Sequence, residues 1–197
     1  MNRIVLVGIL LLSNLLSSVS HASEEAFWQL LEGGHKVLLV RHATLSEEFG
    51  SPFVLDDSCF SERNLSDFGR EQARWINQQL KAHSILVEAV MASPHCRTQE
   101  TAQLLAEGLQ QVTVNPSLRL TKAVSPEVAE RNMAATRDLI RNYQGKGILI
   151  LVTHRPNIGE LIYQSIEPAE MAVVEAFAGD TFDILARLQV PLINQNQ

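Results

Sequence analysis

Cysteine is scarce in this chain: Cys59 and Cys96 are the only two in 197 residues. Neither has a partner at metal-ligand spacing, which disfavours a cysteine-based zinc site. As an even pair they leave two arrangements open. One is a bridge closing a loop of roughly 36 residues, worth about 3 to 4 kcal/mol on the loop-entropy argument; the other is two separate buried thiols. Positive charge is short as well. Lys plus Arg number 16 against 22 Asp plus Glu, a formal net charge of −6, and that balance opposes long-range attraction to nucleic acid or to anionic membranes. Any anion the protein binds must therefore be captured by a local cluster. Glycine and proline are not in excess, at 10 and 7, and with 46% apolar and 19% charged residues disordered and fibrous classes are excluded. The chain carries no internal repeat and no sign of a second domain, and its length suffices for one domain with a proper core.

Only the amino terminus carries a long apolar run. Met1-Asn2-Arg3 is a short basic start, residues 4–16 are almost unbroken in apolarity, and Ser20-His21-Ala22 is a small-x-small end. That succession predicts a secretory signal peptide over residues 1–22 and a mature domain over 23–197. The run is too short to span a bilayer comfortably; the competing reading is an uncleaved anchor helix. No cysteine lies near Ala22, which disfavours a lipoprotein anchor. The expectation is a soluble periplasmic or secreted protein, without stable membrane insertion after cleavage, in an oxidising compartment.

The rest is organised around residues 36–43, KVLLVRHA. Its consecutive apolar residues predict a short strand buried on both faces. Upstream, residues 24–31 have apolar side chains at helical spacing, stopped by Gly33-Gly34. Residues 44–64 dissolve into a long loop, expected to form a wall or lid of whatever site lies at Arg41-His42. Ser66 should cap a helix reaching His83. A strand over 87–91, a helix over 97–107 and a short strand over 112–114 follow. Ser125 as cap and Pro126 at the first position open a helix to Tyr143. Residues 148–152, ILILV, form a second strongly apolar strand, and Pro156 starts a helix through Tyr163. Residues 171–177 and 182–188, around Gly179-Asp180, read as a hairpin. The fold class is α/β: a three-layer α/β/α arrangement with a mostly parallel central sheet and a C-terminal hairpin.

Three of these strands end in reactive residues: Arg41-His42, residues 93–97, and Thr153-His154. If the strands run parallel, their carboxyl ends meet at one edge of the sheet. Two histidines and two arginines then share a pocket suited to phosphate, because a planar guanidinium matches its oxygens with paired hydrogen bonds.

RHA at 41–43, LSDFGREQA at 65–73, SPHCRTQET at 93–101 and LVTHRPNI at 151–158 resemble, in order and spacing, the histidine phosphatase (phosphoglycerate mutase-like) superfamily. The resemblance spans residues 36–166. It implies His42 as the nucleophile that forms a phosphohistidine, with Arg41, Arg97 and His154 holding the nonbridging oxygens. His42 must attack unprotonated, whereas His154 should carry its proton or donate from its neutral form. No cofactor and no metal is required, since the arginines do what magnesium does elsewhere. Arg63, with Asn64, stands where a further basic group could bind substrate; otherwise it is a solvated loop residue. His35, His83 and His95 match no catalytic position and are read as structural or exposed. Gln72-Ala73 and Glu100-Thr101 should hold helices against the sheet.

The pattern breaks at the general acid. The superfamily carries a carboxylic acid right after the second histidine, or after a Leu-Arg pair downstream of the second arginine. Here those positions are Arg155 and, after Leu118-Arg119, Leu120. The remaining carboxylates to consider are Asp56, Asp57, Glu127 and Glu170, with Glu170 preferred. The gap also fits substrates with good leaving groups, such as phosphohistidine or anhydrides.

The resemblance therefore implies an exported, metal-independent phosphomonoesterase acting on a small-molecule or envelope phosphoester; lipopolysaccharide heptose phosphate is one candidate. Its rivals are a non-enzymatic phosphate or phosphosugar binder on the same fold and a phosphohistidine protein phosphatase.

Overall fold

The computed structural model describes residues 24–47, 49–176 and 182–191. The expected signal segment and the Gly179-Asp180 turn lie outside them. In chain order the elements are α1 (residues 24–32), β1 (Lys36–Arg41), α2 (Asp67–Ala82), β2 (Val87–Ala92), α3 (Cys96–Ala106), β3 (Val112–Val114), α4 (Pro126–Arg141), β4 (Ile148–Thr153), α5 (Arg155–Ile162), β5 (Met171–Ala176) and β6 (Phe182–Leu188). Two single-turn 3-10 helices, Pro116–Leu118 and Thr121–Ala123, sit between β3 and α4.

The six strands lie in the order β3-β2-β4-β1-β5-β6. The first four are mutually parallel, β5 runs antiparallel to β1, and β6 antiparallel to β5, so the expected mostly parallel sheet with a closing hairpin is what forms. β1 and β4 are at its centre, and their apolar runs follow from burial on both faces. Because side chains alternate across a strand, Leu38 and Val40 with Ile148, Ile150 and Val152 meet α1, α2 and α3 through Trp28, Leu31, Ile76, Leu80 and Leu105. Val37 and Leu39 with Leu149 and Leu151 face the other way, against Met133 and Ile140 of α4 and Ile158 and Leu161 of α5. Leu39 is fully buried. Leu39→Ala is expected to cost about 2 to 5 kcal/mol, the range for a buried leucine replaced by alanine. Urea denaturation should show the midpoint fall with its slope unchanged; a shift under half a kcal/mol would mean that this layer packs loosely.

Local signals set most boundaries. Ser66 Oγ accepts from Gly69 N–H and Asp67 occupies the first turn of α2, as the cap rule requires. A Cβ on Gly69 would come within 2.1 Å of the Thr44 carbonyl, so only glycine lets this helix press against the chain leaving β1. Ser125 departs from expectation: it makes no side-chain cap bond, because its hydroxyl bonds the Glu127 carboxylate instead. Helix α4 stops at Arg141 rather than Tyr143, and α3 begins at Cys96.

Cys59 and Cys96 are bridged, with Cα atoms 5.8 Å apart, which decides between the two arrangements left open. The bridge pins the long loop to the first residue of α3. Within the loop Asp56 accepts from the N–H and hydroxyl of both Ser58 and Ser61, and these bonds hold its carboxyl well below the usual carboxylate range. No helix among the described residues is long and apolar enough to cross a membrane.

Candidate active site

The parallel ladder does not stop where the strands do. His42 N–H donates to the Thr153 carbonyl and Ser93 N–H to the Val152 carbonyl, each at 3.0 Å. These bonds carry the register one residue past β1 and β2 and set His42, Ser93 and His154 side by side at the carboxyl edge. The His42 and His154 ring centroids are 5.5 Å apart, tilted by 64°.

Their tautomers follow from their partners. His42 Nδ1 lies 2.9 Å from the carbonyl of Ala43; a carbonyl only accepts, so Nδ1 carries the hydrogen and Nε2 keeps its lone pair. His154 is the reverse. Arg97 Nη2 is 3.3 Å from its Nδ1, and a guanidinium only donates, so Nδ1 holds the lone pair and Nε2–H donates to Ser93 Oγ at 2.8 Å. Burial, with added repulsion from Arg97 and Arg41, lowers the pKa of His42 to about 3. Burial first, then His42 and Arg97, hold His154 well below its ordinary value. Both rings are neutral at pH 7, one with a free basic nitrogen and the other an N–H donor.

Arg97, from the first turn of α3, is 1% exposed. Its Nη2 also donates to the Pro52 carbonyl at 2.9 Å, while Nη1 lies 3.6 Å from a carboxylate oxygen of Glu62. Burial outweighs Glu62 and brings its pKa down to about 10, still cationic at neutral pH. The Pro52 carbonyl occupies a donor position that an incoming anion would need, so residues around Pro52 cover the site. Arg41 is close enough to act on both histidines, yet its Nη1 donates to the Ile166 carbonyl at 2.8 Å. It contributes field to the pocket rather than a direct bond to either ring.

The histidine phosphatase superfamily (branch 1) matches residues 37–121, which include His42 and Arg97. Over that stretch, and in its fold, the chain is similar to that superfamily. Solved structures agree on the fold. The protein histidine phosphatase SixA complexed with tungstate superposes with a TM-score of 0.57 at 19% identity, covering 78% of this chain and 96% of that one. A mycobacterial glucosyl-3-phosphoglycerate phosphatase gives 0.55 at 18%, over 77% and 97%. A phosphoserine phosphatase from Entamoeba histolytica, in complex with 3-phosphoglyceric acid, gives 0.55 at 14%, over 78% and 96%. No curated protein matches the sequence closely.

Other residues singled out in the sequence have partners elsewhere. Arg63 Nε donates to the Gly50 carbonyl at 3.3 Å, bracing the loop. Glu170, the preferred acid, is an ion-pair partner instead. Arg187 Nε donates to one oxygen of its carboxylate at 2.8 Å and the Glu167 N–H to the other oxygen at 2.7 Å. Asp56 is committed to its serine turn, and Glu127 and Asp57 are exposed. Thr101 and Gln72 tie α3 and α2 to the chain leaving β1, accepting from the N–H groups of Ala43 and Thr44.

Two buried residues were missed. His95, read as structural or exposed, is buried with its ring edge-on to His154 at 4.9 Å. Glu62, never singled out, is buried beside it and 3.2 Å from His95 Nδ1. It also accepts from the N–H groups of Cys96 at 3.1 Å and Asp56 at 3.2 Å. The cysteine pair was the usable signal: a bridge from Cys59 to Cys96 places Glu62 near residues 95–97.

Keeping the two histidines neutral makes stability depend on pH. Unfolded, each titrates near 6.5; folded, His42 takes a proton only near 3. Between those values the unfolded chain binds protons that the native chain refuses. The contribution is therefore intact above pH 6.5 and is lost as pH falls towards 3, at up to about 1.4 kcal/mol per pH unit per histidine. Urea midpoints at pH 7, 6 and 5 should fall in step, and less steeply in His42→Ala; flat midpoints would contradict the assigned protonation.

Proposed function

We propose that this protein is an exported phosphatase that hydrolyses small phosphomonoesters, without a metal ion, through a phosphohistidine at His42. The observation that carries the reading is the pairing of a neutral His42, with Nε2 unprotonated, and a buried guanidinium and imidazole N–H alongside. Nε2 attacks phosphorus, the ester oxygen leaves, and water then cleaves the nitrogen–phosphorus bond. Arg97 exchanges the Pro52 carbonyl for a nonbridging oxygen, and the N–H of His154 exchanges Ser93 for another. Arg41 adds positive field. Envelope phosphoesters, including phosphosugars of lipopolysaccharide, are substrates consistent with export.

The missing carboxylic acid favours a second reading, removal of phosphate from phosphohistidine on a protein. The burial of His42 and Arg97 beneath the loop disfavours it, since a protein-borne group needs a shallow cleft. The deciding experiment is hydrolysis of p-nitrophenyl phosphate and small phosphosugars by the mature domain in chelator, with trapping of a labelled adduct. Phosphate binding without turnover would leave the non-enzymatic binder instead. Intact-mass measurement of the cell-envelope fraction should find the chain starting near Ser23; an uncleaved amino terminus would remove the export claim.

A further inference from the structure

His95 carries a buried Nε2 with no hydrogen-bond partner. Buried polar atoms are almost always satisfied, so an orphan beside a reactive centre calls for an explanation. Its other nitrogen is not idle: Nδ1 faces the Glu62 carboxylate at 3.2 Å, and Arg97 Nη1 lies 3.5 Å away. Arg119 also acts on the ring by charge. The side chain is fully buried and packed against His154, which in turn packs against His42. A carboxylate behind one imidazole nitrogen, with the other nitrogen free, is how proteins equip histidine to move protons. Among the described residues no carboxylate is hydrogen-bonded or ion-paired to the side chain of His42 or His154, so this reaction still needs a proton donor.

We propose that His95 is that donor, its Nε2 protonating the leaving oxygen while Glu62 holds the ring at Nδ1. The proposal rests on the phosphohistidine reading. In the first step the bond from phosphorus to the ester oxygen breaks as the bond from His42 Nε2 to phosphorus forms, and the proton on His95 Nε2 passes to that oxygen. In the second, water gives a proton back to His95 Nε2 as its oxygen bonds phosphorus and the nitrogen–phosphorus bond breaks, so both rings end as they began. Burial and Arg97 favour the uncharged ring. An entering phosphate group adds negative charge next to it and reverses that preference.

The test compares kcat/KM, which reports steps up to departure of the leaving group, on p-nitrophenyl phosphate and on glycerol 2-phosphate. Nitrophenolate leaves without help; an alkoxide does not. His95→Gln should lose about 10²-fold or more on glycerol 2-phosphate beyond whatever it loses on p-nitrophenyl phosphate. Glu62→Gln should lose in the same direction by less. Equal losses on the two substrates, or none, overturn the proposal. Should His95→Gln fail to fold, the wild-type protein decides. With a donor, kcat/KM depends weakly on leaving-group pKa across a series of aryl and alkyl phosphates, and a steep dependence overturns it. Trapping of the His42 adduct in each protein separates the cases: an adduct with no leaving-group effect sinks only the role of His95, whereas no adduct in the wild type sinks the phosphohistidine reading itself.

Discussion

His42→Ala is expected to lower kcat by about 10⁵-fold or more, the scale of losing a covalent nucleophile. His154 cannot take over. The lone pair of His154 is engaged by Arg97, and its other nitrogen carries the hydrogen given to Ser93. Only the backbone carbonyl of Ala43 loses a partner, at a cost of about 1 kcal/mol, so the variant should fold. Phosphate binding should persist, because Arg97 and His154 remain. Steady-state hydrolysis, adduct trapping and calorimetric titration with phosphate together check this; residual activity above a few per cent would show that another group attacks.

Arg97→Ala is expected to lower kcat/KM by about 10³- to 10⁵-fold, as when a transition-state arginine is lost from phosphoryl transfer. It should also destabilise the protein by about 3 kcal/mol, because the buried Glu62 carboxylate loses a cationic neighbour. The two effects are separable. In the double variant Arg97→Ala, Glu62→Gln the uncompensated charge is gone, so much of the stability should return while activity stays low. Arg97→Lys keeps the charge but cannot reach His154, Pro52 and Glu62 at once, and should fall between. Thermal melts beside kinetics on the three proteins would test this; recovery of activity in the double variant would place Arg97 outside the chemistry.

The apolar runs of β1 and β4, their abrupt ends at His42 and His154, and the capped start of α2 could be read directly, because burial and capping impose local patterns on sequence. The convergence of three strand ends was readable too, since parallel topology constrains it. Loop residues 44–64 were opaque for the opposite reason. Their conformation is set by a serine turn on Asp56, a distant cysteine and a buried carboxylate, and none of these leaves a periodic trace. That is why Glu62 and His95 escaped notice. Glu170 misled because its position before β5 was legible whereas its guanidinium partner, on β6, was not.

The carbonyl of Pro52 has one more consequence. It sits on the same N–H of Arg97 that a phosphate oxygen would claim, so the loop is an internal competitor for inorganic phosphate. Apparent affinity for the spent anion is diluted by the fraction of time the loop stays seated, while the Cys59–Cys96 bridge keeps that competitor permanently at hand. If the proposed hydrolysis holds, a built-in rival of this sort would help to evict product, and inorganic phosphate should inhibit weakly.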